Sequence, residues 1–281
     1  MMNPSPYSSN GAYADLPKGK TWYQLAGPAR GPAVVLIHGF SLPACVWDGT
    51  FEHLAGVGFR VLRYDLYGRG RSARPPDCSY GLDCYVEQLA ALLDAIPLRG
   101  AVGVVGLSMG GPIAATFAAR YPHRTRALAL IGPVVSGVAS SWRDRVLAIP
   151  HLGEWALRLW GRKILSESIA DDFYRRERMP SSMPARYRAL MDNGFFHALH
   201  MSIRQGMLGD HTATFRQLDK ALLPVLAIWG QEDRTVPPTQ AQTLKNLIRH
   251  VSVKIIPEAG HMPHLEQPEQ THPLLSTFLA P

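Results

Sequence analysis

Two rhythms of apolar residues alternate along this chain. Short continuous apolar runs, bounded by Gly, Pro or charged residues, are separated by stretches in which apolar positions return every three or four residues. The clearest runs, Ala33–Ile37 and Ala127–Ile131, predict strands buried on both faces. Further strands are expected at Tyr13–Leu16 and Thr21–Leu25, joined by a Pro-Lys-Gly-Lys turn, and at Phe59–Tyr64, Ala101–Val105, Val225–Trp229 and Val251–Ile256. Between them fall helices at Val46–Val57, Tyr80–Ile96, Met109–Tyr121, Pro238–Ile248 and Glu269–Phe278. Tyr85, Leu89, Leu92, Leu93 and Ile96 share one helical face, and Pro97 and Pro122 each stop a helix. Strand and helix alternating at this pitch predict an α/β protein with a mostly parallel sheet flanked by helices.

The alternation breaks from about Val134 to Thr214. Here the pattern is helical, with expected helices at Trp142–Ile149, Leu152–Leu165 and Ala185–Asn193 and no strand. A helical insertion inside an α/β sheet predicts a cap, residues 134–213, over a core made of residues 1–133 and 214–281. The cap is rich in Trp, Phe and Met, which suits small or medium acyl or aryl groups better than charged metabolites.

Composition narrows the class. The chain has 281 residues, 46% hydrophobic and 18% charged, as an ordinary globular protein does. Its net charge of +7 is spread over the whole length and no basic stretch is interleaved with aromatics, so no nucleic-acid partner is expected. The apolar runs are too short for stable membrane insertion, and the polar leader is not a secretion signal. A cytoplasmic protein is therefore expected. In that setting Cys45, Cys78 and Cys84 read as free thiols, although Cys78 and Cys84 are close enough in sequence to pair.

The chemistry concentrates at strand ends. Gly106-Leu107-Ser108-Met109-Gly110 stands where a predicted strand becomes a predicted helix. A sharp turn there would strain the Ser, and only small residues two before and two after it would avoid a clash. A serine hydroxyl needs a base to take its proton. His261, preceded by Gly260 on the loop after the last strand, is the leading candidate, with His264 as its rival. The base needs an acid to fix its tautomer. Asp233, just beyond the strand ending at Trp229, fits that role, with Glu232 as the alternative. Asp65 precedes the nucleophile and reads as structural.

Ser, Asp and His in that order, together with His38-Gly39-Phe40 and Asp65-Leu66-Tyr67-Gly68-Arg69-Gly70-Arg71-Ser72, resemble the successive motifs of the α/β-hydrolase superfamily. The likeness spans residues 12–133 and 214–281 and is closest to serine esterases with a helical cap. It implies a catalytic set of Ser108, Asp233 and His261, with an oxyanion hole from the backbone N–H groups of Phe40 and Met109. It also implies that His38 is structural. No metal, nucleotide or phosphate motif appears, and the implied mechanism needs no cofactor. The expected activity is hydrolysis of a small-molecule carboxylic ester through an acyl-enzyme. C–C hydrolysis of meta-cleavage products and cofactor-free perhydrolysis are alternatives. Leu107 and Phe40-Ser41-Leu42 depart from the Asn and the Gly-rich loop usual in the C–C hydrolases. A ligand-binding protein that keeps the triad with little turnover is the alternative of another class.

Overall fold

A computed structural model of the protein describes residues 11–138, 149–221 and 223–281. Eight strands form one sheet in the order β1-β2-β4-β3-β5-β6-β7-β8. They are β1 (Ala12–Leu16), β2 (Gly19–Ala26), β3 (Ala33–Ile37), β4 (Arg60–Tyr64), β5 (Val102–Leu107), β6 (Thr125–Ile131), β7 (Val225–Gly230) and β8 (Ser252–Ile256). The β1–β2 and β2–β4 pairs are antiparallel, and every other pair is parallel. All residues of β3, β5 and β7 are buried, which is why these strands read as unbroken apolar runs.

Helices cover both faces, as the alternating pattern predicts. On one side α2 (Leu82–Ala95) and α3 (Gly110–Arg120) bury Leu89, Leu92, Ile113 and Phe117. On the other, α1 (Asp48–Gly56) and a C-terminal helix, Pro268–Leu279, bury Phe51, Leu54, Leu275 and Leu279. The expected helix at Val46–Val57 is divided: Ala44–Trp47 is a 3-10 turn and the α-helix starts at Asp48.

Between β6 and β7 the described residues hold four helices: α4 (Leu152–Ser168), α5 (Met183–Ala189), α6 (Asn193–Arg204) and α7 (Thr212–Leu218). The expected helix Trp142–Ile149 falls almost wholly outside the described residues. Around Ala185–Asn193 the expected single helix is two, because α5 ends at Ala189 and α6 starts afresh, its N-terminus capped by the Asp192 side chain on the Phe195 N–H at 2.7 Å. Leu157, Phe195 and Phe196 of this segment join the same apolar cluster as α1 and the C-terminal helix. No helix among the described residues is long and apolar enough to cross a membrane.

One expectation is corrected. Cys78 and Cys84 form a disulfide rather than lying as free thiols, with their Cα atoms 6.0 Å apart, and only Cys45 is free and buried. The turn at Tyr80, whose φ is +56°, folds the loop back onto the first turn of α2 and brings the two sulfurs together.

Candidate active site

The carboxyl ends of β3, β5, β7 and β8 lie along one edge of the sheet, and the loops that leave them build the site. Ser108 follows β5 directly, in the left-handed conformation at φ +53°, and its N–H is held by the Ile131 carbonyl at 2.9 Å. The flanking glycines have specific steric reasons. A Cβ at Gly106 would lie 2.4 Å from the Gly110 carbonyl oxygen, and one at Gly110 would lie 2.5 Å from that of Ile37. Either contact would push α3 off the strands that aim Ser108 outward. Only 7% of Ser108 is exposed.

His261 faces Asp233 across a 2.8 Å hydrogen bond from Nδ1 to Oδ2, and each residue is 3% exposed. The other Asp233 oxygen accepts the N–H groups of Thr235 at 2.9 Å and Val236 at 2.8 Å, so the carboxylate is oriented before His261 reaches it. Gly132 makes this bond possible. Its φ is +46°, and a Cβ there would sit 3.1 Å from both the Asp233 oxygen and the His261 nitrogen. No side chain fits at this position.

The rival residues point elsewhere. His264 is buried, its Nε2 donates to the Val46 carbonyl at 3.2 Å, and its ring lies 4.8 Å from that of Trp47. Burial, with His272 nearby, pushes its pKa down to about 3. Glu232 gives its N–H to Ala259 and does not meet His261. His38 donates through Nδ1 to the Gly39 carbonyl and accepts the Leu66 N–H at Nε2, and burial lowers its pKa to about 3. It is a neutral strut between two loops. Asp65 is fully buried, with its carboxylate oxygens accepting the N–H groups of Ala44 and Arg71, each at 2.8 Å.

Gly260 has a different purpose from the one its place before His261 suggests. Its φ is not positive; instead, a Cβ there would lie 2.6 Å from the Asp172 carbonyl oxygen. The glycine admits the backbone of the inserted segment, and that carbonyl accepts the His261 N–H at 2.7 Å. Glu266 closes the same junction, accepting N–H groups from Gly260 at 2.6 Å and Tyr174 at 2.8 Å. Neither Asp172 nor Glu266 carries a signal in the sequence. Arg69, which sits inside a motif, proves fully buried, and its Nε donates to the Phe40 carbonyl at 2.7 Å.

Ser108 and His261 line one cavity of about 290 Å³, together with Phe40, Leu208, Asp172 and Arg234. Gly39 brings the Phe40 loop against Ser108, since a Cβ there would meet that of Ser108 at 3.3 Å. Among the described residues the backbone N–H groups of Phe40 and Met109 have no acceptor. None of the described residues forms a group of three metal-ligating side chains.

Burial opposes the imidazolium of His261, but the Asp233 carboxylate, helped by Asp172, outweighs it and raises the pKa to about 9. The sign of the pH effect follows. A raised histidine pKa stabilises the fold fully below the ordinary value, and this contribution is lost as pH rises through about 9. Proton abstraction needs the neutral ring, so turnover runs the other way. kcat/KM for a neutral ester is expected to climb from pH 6 to about pH 9. A profile already flat at pH 7 would show that Asp233 and Asp172 do not hold the proton on His261.

A family model described as "alpha/beta hydrolase fold" matches residues 32–268. A 2-hydroxy-6-oxo-2,4-heptadienoate hydrolase of Pseudomonas putida is 28% identical, over 89% of this chain and 90% of its own. A monoacylglycerol lipase of Bos taurus is 26% identical, over 90% of this chain and 77% of its own. The solved structure of a meta-cleavage product hydrolase of Pseudomonas fluorescens IP01 superposes with a TM-score of 0.78 at 23% identity, covering 96% of this chain and 97% of that one. The sheet order, the strained serine after β5 and the match over residues 32–268 together place the chain in the α/β-hydrolase fold family, as a hydrolase.

Proposed function

We propose that the protein is a serine hydrolase of carboxylic esters with small or medium acyl or aryl groups, acting through an acyl-enzyme on Ser108. The observation that carries this reading is the buried His261–Asp233 hydrogen bond at 2.8 Å, with His261 sharing a cavity with a serine held at φ +53°. Asp233 keeps the proton on Nδ1, which leaves Nε2 free to take the Ser108 proton as Oγ attacks the carbonyl carbon. The N–H groups of Phe40 and Met109 receive the oxyanion, and Arg69 steadies the first by holding the Phe40 carbonyl. His261 then hands its proton to the departing alkoxide. A water attacking the acyl-enzyme repeats the sequence and frees the acid. Residues 134–213 act as the cap, and their Leu208 and Val138 reach the cavity wall.

C–C bond hydrolysis is the second reading, favoured by the P. putida relative. The Leu107 and Phe40-Ser41-Leu42 departures weigh against it.

The test is turnover of chromogenic esters of graded acyl length beside that of a meta-cleavage dienoate. Ester turnover at kcat/KM at least tenfold above that for the dienoate is expected, and the reverse order would replace the first reading with the second. In the same series Leu208→Ala is expected to lower kcat/KM several-fold for a hexanoyl ester and little for the acetate, because only the longer chain draws binding energy from the cap. Equal losses on both would deny the cap a part in substrate binding.

A further inference from the structure

Two side chains hold the oxyanion donor Phe40, and they differ in charge. The Phe40 N–H belongs to the trans peptide whose carbonyl, that of Gly39, accepts the His38 Nδ1 proton at 2.9 Å, so the N–H points away from His38. The carbonyl of Phe40 itself accepts the Arg69 Nε proton at 2.7 Å. His38 is neutral, since burial lowers its pKa to about 3, whereas Arg69 is a guanidinium. A neutral donor would brace the Phe40 carbonyl as well as a charged one. Arg69 is nevertheless fully buried, with its Nη2 donating to the Ser202 hydroxyl on α6 at 3.0 Å. Its Nη1 meets no acceptor, and the guanidinium forms no ion pair with a carboxylate among the described residues. Burying a cation without a counter-ion is costly. Its field reaches across the loop, because the Arg69 charge adds to the burial that keeps His38 neutral.

Such a charge matters at one stage of the reaction. The ester enters neutral. As the Ser108 Oγ attacks, its proton passes to His261 and the carbonyl oxygen becomes an anion against the Phe40 and Met109 N–H groups. The imidazolium is balanced by Asp233 through their hydrogen bond, while the oxyanion is backed by the cation behind Phe40. Resting on the ester-hydrolase reading above, we infer that Arg69 is a positioning residue whose charge is used as well as its shape. It holds the Phe40 loop and biases the oxyanion hole toward the anionic intermediate over the neutral ester. The cation is fixed when the protein folds, so nothing has to reorganise when the anion forms. An attraction felt only by the anion speeds the chemistry without tightening the binding of substrate. Two unit charges roughly 8 Å apart, at an effective dielectric of about 20, attract enough to change a rate on the order of thirtyfold.

The experiment pairs two inhibitors of one shape. A trifluoromethyl ketone, 1,1,1-trifluoroheptan-2-one, adds to a serine to give an oxyanion, whereas heptan-2-one stays a neutral carbonyl. Inhibition by each is measured for the wild type and for Arg69→Gln, Arg69→Lys and Arg69→Met. Arg69→Gln keeps a donor for the Phe40 carbonyl but not the charge. It is expected to weaken the trifluoro ketone about thirtyfold and leave heptan-2-one within about twofold, with kcat/KM for 4-nitrophenyl acetate falling in step with the first. Arg69→Lys, which keeps the charge, should restore both readouts to within about fivefold of wild type. Full affinity for the trifluoro ketone in Arg69→Gln, equal losses on both ketones, or a lysine variant no better than the glutamine one would each overturn the inference. Should Arg69→Gln fail to fold, Arg69→Met decides, since an apolar side chain of similar length removes the buried charge. There a loss confined to the trifluoro ketone supports the inference, and equal losses on both ketones overturn it. Binding of the trifluoro ketone that is unchanged in Ser108→Ala would instead sink the acyl-enzyme reading beneath it.

Discussion

Replacing Ser108 with Ala is expected to lower kcat for a short-chain ester by roughly five orders of magnitude, the scale seen when a nucleophile of this kind is removed. The substitution takes away only one oxygen atom, 7% of the residue is exposed, and the hydroxyl makes no hydrogen bond to the fold among the described residues. The strained backbone at φ +53° stays as it was, so the unfolding free energy from urea titration should hold to within about 0.5 kcal/mol. Activity-based labelling by a fluorophosphonate should vanish with turnover. Retention of more than a few per cent of kcat, in protein free of host esterases, would remove Ser108 from the mechanism.

The second large effect separates two histidines three residues apart. His261→Ala should lower kcat about as far as Ser108→Ala does, because either change disables the same proton transfer, and the double variant should lose little more. Asp233→Asn should cost about four orders of magnitude, since an amide can donate to Nδ1 and favour the tautomer that cannot accept the serine proton. His264→Ala should behave differently. It removes a ring packed on Trp47 and a hydrogen bond to Val46, so it should cost about 2–3 kcal/mol in urea unfolding while kcat at low temperature stays within tenfold. If His264→Ala were the inactive variant and His261→Ala the active one, the base would have to be reassigned despite the 2.8 Å contact with Asp233.

Much of the scaffold is legible in the sequence because its causes are local. A strand covered by helices on both faces must be apolar at every position, so β3, β5 and β7 stand out as runs. Some element ends differ from the pattern for equally local reasons. The chain enters α1 through a 3-10 turn at Ala44–Trp47, whose buried residues have the same apolar signature as a helix turn. The strained turn at Ser108 is legible because Gly106 and Gly110 are demanded by atoms of neighbouring strand and helix backbone, 2.4 and 2.5 Å from where a Cβ would stand.

What the sequence determined by itself, then, is the strand–helix order, the strained turn at Ser108 and the presence of a histidine and a carboxylate on later strand-end loops. Each depends on residues within a few positions of one another. The tertiary structure decided the partners. His261 and His264 look alike in sequence; the β6–β7–β8 register, pairing Ile131 with Ile228 and Trp229 with Ile255, turns one toward Asp233 and leaves the other under Trp47. The same packing paired Cys78 with Cys84, made Gly132 the floor beneath the Asp233–His261 bond and gave Gly260 a neighbour from the inserted segment. It also carried Asp172 to His261 across 89 positions of chain. No local pattern marks such a residue, because its hydrogen-bond partners are brought to it only when the sheet and the segment above it close together.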